Sequence, residues 1–148
     1  MRQPRIETNR QWGVAWLLLT LALAVHVVDE ALNDFLAVYN PIVADLRARW
    51  PLLALPTFTF RVWLAQLCGA LAVLFLLAPF AWQGRRWMRP LSYAYAVVML
   101  GNGLVHVLGS IYLSRLLPGL YSSPLLIAAA IFLLVAARAG GTEATRSS

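Results

Sequence analysis

Long apolar segments restrict this chain to a helical membrane fold. The sequence has 148 residues, of which 61% are hydrophobic and only 12% charged, which excludes an ordinary soluble domain and a disordered chain. An α-helix crosses the apolar part of a bilayer with about 20 residues, at ~1.5 Å each. Four segments have suitable length and composition: residues 12–32, 58–82, 91–113 and 121–137. We therefore predict an all-α, polytopic membrane four-helix bundle, with residues 11–138 as one domain between flexible ends at 1–10 and 139–148.

The arginines predict how the bundle is oriented. All 12 basic residues are arginine, which indicates a GC-rich bacterial coding bias. Residues 1–10, the 83–90 connection and the C-terminal tail carry most of them, and such segments stay in the cytoplasm. We expect both termini to be cytoplasmic, in a multi-pass protein of the bacterial inner (plasma) membrane whose first span is not cleaved. The net charge of +6 forms no basic stripe, so nucleic acid is not an expected partner.

The first outer connection, residues 33–57, contains a predicted short interfacial helix. Asn40 is a suitable N-cap and Pro41 suits the first helical position. Apolar residues then recur at helical spacing until Pro51: Ile42, Val43, Leu46 and Trp50. The pattern is typical of an amphipathic helix on the outer membrane surface. It either covers a site or only connects two spans.

The first span carries an unusual polar stripe. His26, Asp29 and Glu30 are three or four residues apart and share one helix face, and Asn33 follows a turn later. A charged residue at the centre of a span costs about 2.5–3.5 kcal/mol on insertion scales. Polar groups concentrated on one stripe at this cost indicate a site.

The third span repeats the pattern with Asn102 and His106, four residues apart. His26 lies roughly 21 Å along the first span and His106 roughly 22 Å along the third, measured from their cytoplasmic ends. The two spans are parallel in the predicted topology, so both imidazoles lie at one depth in the outer half. Glycines at 101, 103 and 109 should let the first and third spans approach. We expect the nitrogens of both imidazoles and a Glu30 oxygen to converge within about 5 Å, a plausible ligand set for zinc or iron.

Other side chains have predicted supporting roles. Asp29 is either a fourth ligand or the catalytic base towards a water that the metal activates. Asn102 could orient a histidine, and Asn33 and Arg61 could surround the site. In the alternative interpretation, the histidines merely join helices through hydrogen bonds, and Arg61 pairs with Asp29, Glu30 or Asp34.

Two further patterns have structural interpretations. Pro118-Gly119 predicts a turn, and Ser122-Ser123-Pro124 a cap for the fourth helix. The tryptophans and several tyrosines lie near the predicted interfaces, where such side chains anchor spans.

These motifs resemble those of the HXXEE-domain family, small bacterial integral-membrane proteins. The resemblance rests on His26-Val-Val-Asp29-Glu30, Asn102-x-x-x-His106 and the turn from Arg115 to Gly119. It extends from the first to the fourth helix, although Asp29 replaces the first glutamate of the motif. Aspartate keeps the charge but has a shorter reach. The family has no established activity, so the resemblance implies a grouping and a suspected site but not a reaction.

Three functions remain open from the sequence. One is a metal-dependent enzyme acting on a lipid or another apolar molecule. The second is a proton-coupled small-solute transporter or oligomeric channel, since intramembrane histidines and carboxylates form proton relays. Against it, four spans are few for a transport path in one chain. The third is a structural membrane partner whose polar groups only join helices.

Overall fold

Five α-helices make up the part of the chain that the structure describes. The structure is a computed structural model that describes residues 3–146, with side chains from residue 6 to residue 139. The helices are α1 (Gln3–Leu32), α2 (Phe35–Arg49), α3 (Phe60–Trp82), α4 (Met88–Tyr112) and α5 (Ser123–Arg146). No strand occurs between residues 3 and 146, so the all-α prediction is confirmed.

Three of these helices are long and apolar enough to cross a membrane: Ile6–Leu32, Phe60–Trp82 and Met88–Tyr112. A fourth apolar helix, Ser123–Ala139, is shorter within the part whose side chains are described. The predicted flexible ends coincide largely with helix, because α1 begins at Gln3 and α5 continues to Arg146. Residues 1–2 and 147–148 lie outside the described residues.

α1 is the central helix. It packs closely on α3 and on α5, whereas α4 packs chiefly on α5. Small side chains allow the close contact with α5, including Ala15 and Ala22 of α1 and Ala130 and Ala137 of α5, all buried. More than half of the most apolar part of α1 is buried (56%), compared with 11% for α3. α3 therefore presents an apolar surface along most of its length.

Two tryptophans of α1 extend the core to its neighbours. The Trp12 indole donates a hydrogen bond to Ser92 Oγ of α4 at 2.9 Å, and the Trp16 indole donates to the Leu74 carbonyl of α3, also at 2.9 Å. Both indoles are 1% exposed. The interpretation of these two side chains as interfacial anchors is therefore wrong, because their N–H groups find partners inside the protein.

The helix predicted in the first connection exists as α2, but it begins six residues earlier than predicted, at Phe35 instead of Pro41. The chain turns at Asp34, where φ is 55°, and α2 continues through Pro41 to Arg49. Asn40 does not cap the helix, because its side-chain amide donates to the Phe58 carbonyl and its oxygen accepts from the Phe58 N–H. Asn40 thus fastens the 50–59 connection to α2.

Candidate metal centre

His26, Glu30 and His106 meet in the interior of the bundle. His26 and Glu30 lie one turn apart on α1, and His106 comes from α4. Glu30 Oε1 is 3.2 Å from His106 Nε2 and 3.7 Å from His26 Nε2. One potential ligand atom from each residue lies within 4.8 Å of the others, and all three side chains are buried. The predicted convergence is confirmed.

The glycines contribute differently from the prediction. Gly103 packs against Ile127 of α5, and Gly101 has no atom near its missing side chain. α1 and α4 make few direct contacts, because α5 lies against both of them and α1 also packs on α3. The expectation that glycines bring α1 and α4 together is therefore wrong. The imidazoles meet because both helices flank α5, with ring centroids 4.8 Å apart and a T-shaped geometry.

The segment between α4 and α5 closes the site from one side. Gly119 has φ of 84°, and a Cβ there would lie 2.9 Å from His106 Nδ1 and 2.9 Å from His26 Cε1. Only glycine combines this backbone conformation with such close approach. The predicted Pro-Gly turn is present, and its backbone lies against both imidazoles.

Asp29 lies beside this group and not within it. Its Oδ2 accepts hydrogen bonds from Ser122 Oγ at 2.7 Å and from the Ser122 N–H at 2.9 Å. Asn33 Nδ2 donates to Asp29 Oδ1 at 2.8 Å. Ser122 precedes the first residue of α5, so the carboxylate also acts as an N-terminal cap, where negative charge is favourable. A role of Asp29 as a fourth ligand lacks support in this geometry, and its role as a base stays a prediction.

The sequence interpretation missed the contact between Ser122 and His26. Ser122 Oγ lies 2.8 Å from His26 Nδ1, and both side chains are buried. The Ser-Ser-Pro pattern marked Ser122 only as a helix cap, and nothing in its spacing connects it to residues 96 positions earlier. Its proximity to a histidine would have required knowing that α5 packs on α1.

The remaining predicted residues divide between the site and the surface. Asn102 Nδ2 is 3.2 Å from His26 Nε2, so Asn102 contacts the group directly. Asn33 reaches it only through Asp29. Arg61 is exposed at the start of α3. Among residues 6–139 it forms no ion pair with Asp29, Glu30 or Asp34, so the ion-pair alternative for Arg61 is not supported.

A positive charge in this group, on an imidazole or on a bound ion, would balance the Glu30 carboxylate. Glu30 is 5% exposed, and its only ion-pair partners among the described side chains are the two histidines. A buried carboxylate without a compensating charge is strongly unfavourable. Two imidazoles and one carboxylate could hold a metal ion, and three protein ligands are typical of catalytic zinc sites, which keep one position open.

An apolar cavity of about 360 Å³ adjoins the group. His106 and Asn102 line it together with side chains of α2 and of the α4–α5 connection, such as Phe35, Val43 and Leu117. The Phe35 ring lies 5.9 Å from the His106 ring, centroid to centroid. This volume lies within the range of small-molecule sites, which are mostly apolar with a few polar groups.

The comparisons with known proteins give a family but no function. The family model described as a protein of unknown function with HXXEE motif matches residues 16–133. This match includes His26, Glu30, His106 and Ser122. No curated protein and no solved structure matches the chain. Because the family model spans well over half of the sequence, the chain belongs to the HXXEE family.

Proposed function

We propose that this protein is a metal-dependent enzyme of the bacterial inner (plasma) membrane that acts on a lipid or another apolar molecule. The observation that carries the proposal is the buried His26–Glu30–His106 group on the wall of an apolar cavity. A ligand set and a place for an apolar substrate thus adjoin each other. The structural alternative requires no such cavity, and a transporter of polar solutes would need more polar groups in its lining.

The proposed topology has four spans with both termini in the cytoplasm. Three helices have the required length and hydropathy, and the apolar Ser123–Ala139 segment continues as helix to Arg146. At ~1.5 Å per residue, the whole of α5 is long enough for a fourth span. The distribution of arginines supports this orientation, in which the site would lie in the outer half of the protein.

Cysteine labelling tests this orientation. Leu32 and Leu113 lie at the outer ends of α1 and α4 and are exposed. Leu32→Cys and Leu113→Cys should react with an impermeant thiol reagent from the extracytoplasmic side, in a Cys68→Ser background. Labelling from the cytoplasmic side alone would contradict the orientation.

The ligands would be His26, Glu30 and His106, with zinc or iron as the ion. When bound, the ion would supply Lewis acidity and lower the pKa of a water molecule, which favours hydrolysis or hydration. The chain itself excludes bulk water with Gly119 on one side and provides the apolar cavity on another. α2 covers this cavity, which supports its role as a cover and not merely a connector. A substrate whose apolar chain occupies the cavity would bring its polar end close to His106.

Metal analysis of the purified protein tests the proposal. We expect about one zinc or iron per chain, and a loss of affinity in Glu30→Gln that is at least as large as the 10–100-fold typical of supporting residues. Glu7→Gln is the matched control, because Glu7 is an exposed carboxylate near the other end of α1. Stoichiometric metal in a His26→Ala, Glu30→Ala double variant would contradict the proposal. The proposal also fails if zinc, iron and manganese leave the thermal stability of the wild-type protein unchanged.

Two hydroxyls in the proposed cytoplasmic half of the protein argue against the proton-transport alternative. Thr20 donates to the Trp16 carbonyl and Ser92 to the Met88 carbonyl, each one turn back in its own helix. Hydroxyl protons held by backbone carbonyls do not form a chain towards His26. This supports a local site reached from one side rather than a continuous proton path.

A further inference from the structure

Ser122 Oγ lies between a carboxylate and an imidazole. It is 2.7 Å from Asp29 Oδ2 and 2.8 Å from His26 Nδ1, with the Gly119 carbonyl at 3.2 Å. A hydroxyl has one proton to donate and two lone pairs to accept with. The short distances to Asp29 and His26 therefore require one proton in each of the two gaps.

The carboxylate decides where these protons lie. An ionised Asp29 only accepts, so the Ser122 hydroxyl donates to Asp29 Oδ2. The oxygen of Ser122 must then accept from His26, and His26 Nδ1 carries the proton. A neutral imidazole protonated at Nδ1 has an unprotonated Nε2.

Asn102 supports the same assignment independently. Its amide nitrogen lies 3.2 Å from His26 Nε2, and an amide NH₂ can only donate. It needs an acceptor, which Nε2 is in this tautomer. The same Nε2 lies 3.7 Å from Glu30 Oε1, inside the candidate metal group. Nε2 has one lone pair, so a metal ion bound there would replace the hydrogen bond from Asn102.

We propose that Asp29 and Ser122 are positioning residues that hold His26 in the Nδ1–H tautomer, so that Nε2 is the metal-binding atom. This inference rests on the proposed metal site and names the groups that prepare it. Histidine ligands are commonly oriented by a hydrogen bond from their other ring nitrogen to a polar partner. Here the partner is a serine hydroxyl that a carboxylate polarises.

The order of the three residues distinguishes this arrangement from a nucleophilic triad. In a serine hydrolase the carboxylate contacts the histidine, and the histidine accepts the serine proton. Here Asp29 contacts Ser122 and takes its proton, while His26 donates to the serine. The Ser122 N–H is also occupied by Asp29. Ser122 thus orients His26 and does not attack a substrate.

Ser122→Ala and Ser123→Ala form a matched pair of variants. Ser123 is also buried, and its hydroxyl donates to the Gly119 carbonyl at 2.7 Å without a hydrogen bond to His26. Nitrogen-15 NMR of histidine-labelled protein without metal reports which ring nitrogen of each imidazole is protonated. We expect His26 to be protonated at Nδ1 in the wild type and in Ser123→Ala, and to become a tautomer mixture in Ser122→Ala.

Zinc affinity provides the second measurement. Ser122→Ala should bind zinc about 10–100-fold more weakly than Ser123→Ala, and Ser122→Thr should restore both affinity and tautomer. Asp29→Ala should resemble Ser122→Ala. Asp29→Asn should weaken zinc binding less than Asp29→Ala. The Ser122 N–H needs an acceptor, so the amide oxygen of the asparagine should occupy the position of Oδ2.

The two measurements separate this inference from the proposed function. Wild-type His26 protonated at Nε2 would overturn the positioning role, as would a Ser122→Ala variant whose tautomer or zinc affinity equals that of Ser123→Ala. A wild-type protein that binds no zinc, iron or manganese but loses the Nδ1–H tautomer in Ser122→Ala would remove the metal site while keeping the orienting hydrogen bonds.

Discussion

Gly119→Ala should destabilise the protein by bringing a methyl group against both imidazoles. The added Cβ would lie 2.9 Å from His106 Nδ1 and Cε1 and 2.9 Å from His26 Cε1. Both rings are buried and held by hydrogen bonds or ion pairs with Ser122, Asn102 and Glu30. Neither ring can move without losing such a contact.

The expected cost has two parts. An L-residue in a left-handed conformation costs roughly 1–2 kcal/mol, and φ at this position is 84°. Forcing an extra carbon into a packed interior costs typically about 1–3 kcal/mol. We therefore expect Gly119→Ala to lower the free energy of unfolding by about 2–5 kcal/mol.

Gly84→Ala separates the backbone cost from the packing cost. Gly84 has φ of 65°, so its backbone cost is similar, but the three atoms nearest its Cβ all belong to the Asn9 side chain, whose end can move. Reversible unfolding in mixed detergent micelles should show about 1–2 kcal/mol of destabilisation for Gly84→Ala. A Cβ at position 101 would have open space around it, so Gly101→Ala should stabilise the helix by up to about 1 kcal/mol. Equal unfolding free energies for Gly119→Ala and Gly84→Ala would refute the imidazole contact.

Two other contacts give separate predictions. Trp12→Phe removes the indole N–H that donates to Ser92 and leaves a space in the core, so the free energy of unfolding should fall by about 1–3 kcal/mol. An unchanged unfolding midpoint would show that this buried bond adds nothing. Asn40→Ala removes both hydrogen bonds to Phe58, and hydrogen exchange should become faster at residues 50–59. Unchanged exchange rates there would mean that other contacts hold the connection.

The sequence predicted the helices and the three central site residues for physical reasons. The spacing of His26 and Glu30 places them on one face of any helix. The depth of His106 followed from counting residues along a parallel span. Such arguments need only helix geometry and orientation, so they do not depend on which helices touch.

The missed features all depend on neighbours. Trp12 is typical of an interfacial anchor until α4 provides Ser92 as a partner. Asn40 fits the pattern of an N-cap, but in the structure its amide binds Phe58 of the 50–59 connection. Ser122 fits the pattern of a helix cap, and only the packing of α5 on α1 brings it beside His26. Tertiary contacts decide each case, and one sequence contains little information about which segments come into contact.

The distance along the chain between His26 and Ser122 also affects synthesis. The two residues are 96 positions apart, and ribosomes add about 5–20 residues per second. Roughly 5–20 s therefore pass between the synthesis of α1 and that of the serine that binds both Asp29 and His26. In the first part of this interval, before α4 is made, the polar face of α1 has none of its partners from α4 and α5. A chain arrested before α5 would lack the serine that binds both Asp29 and His26, so the site is complete only after most of the chain has been made.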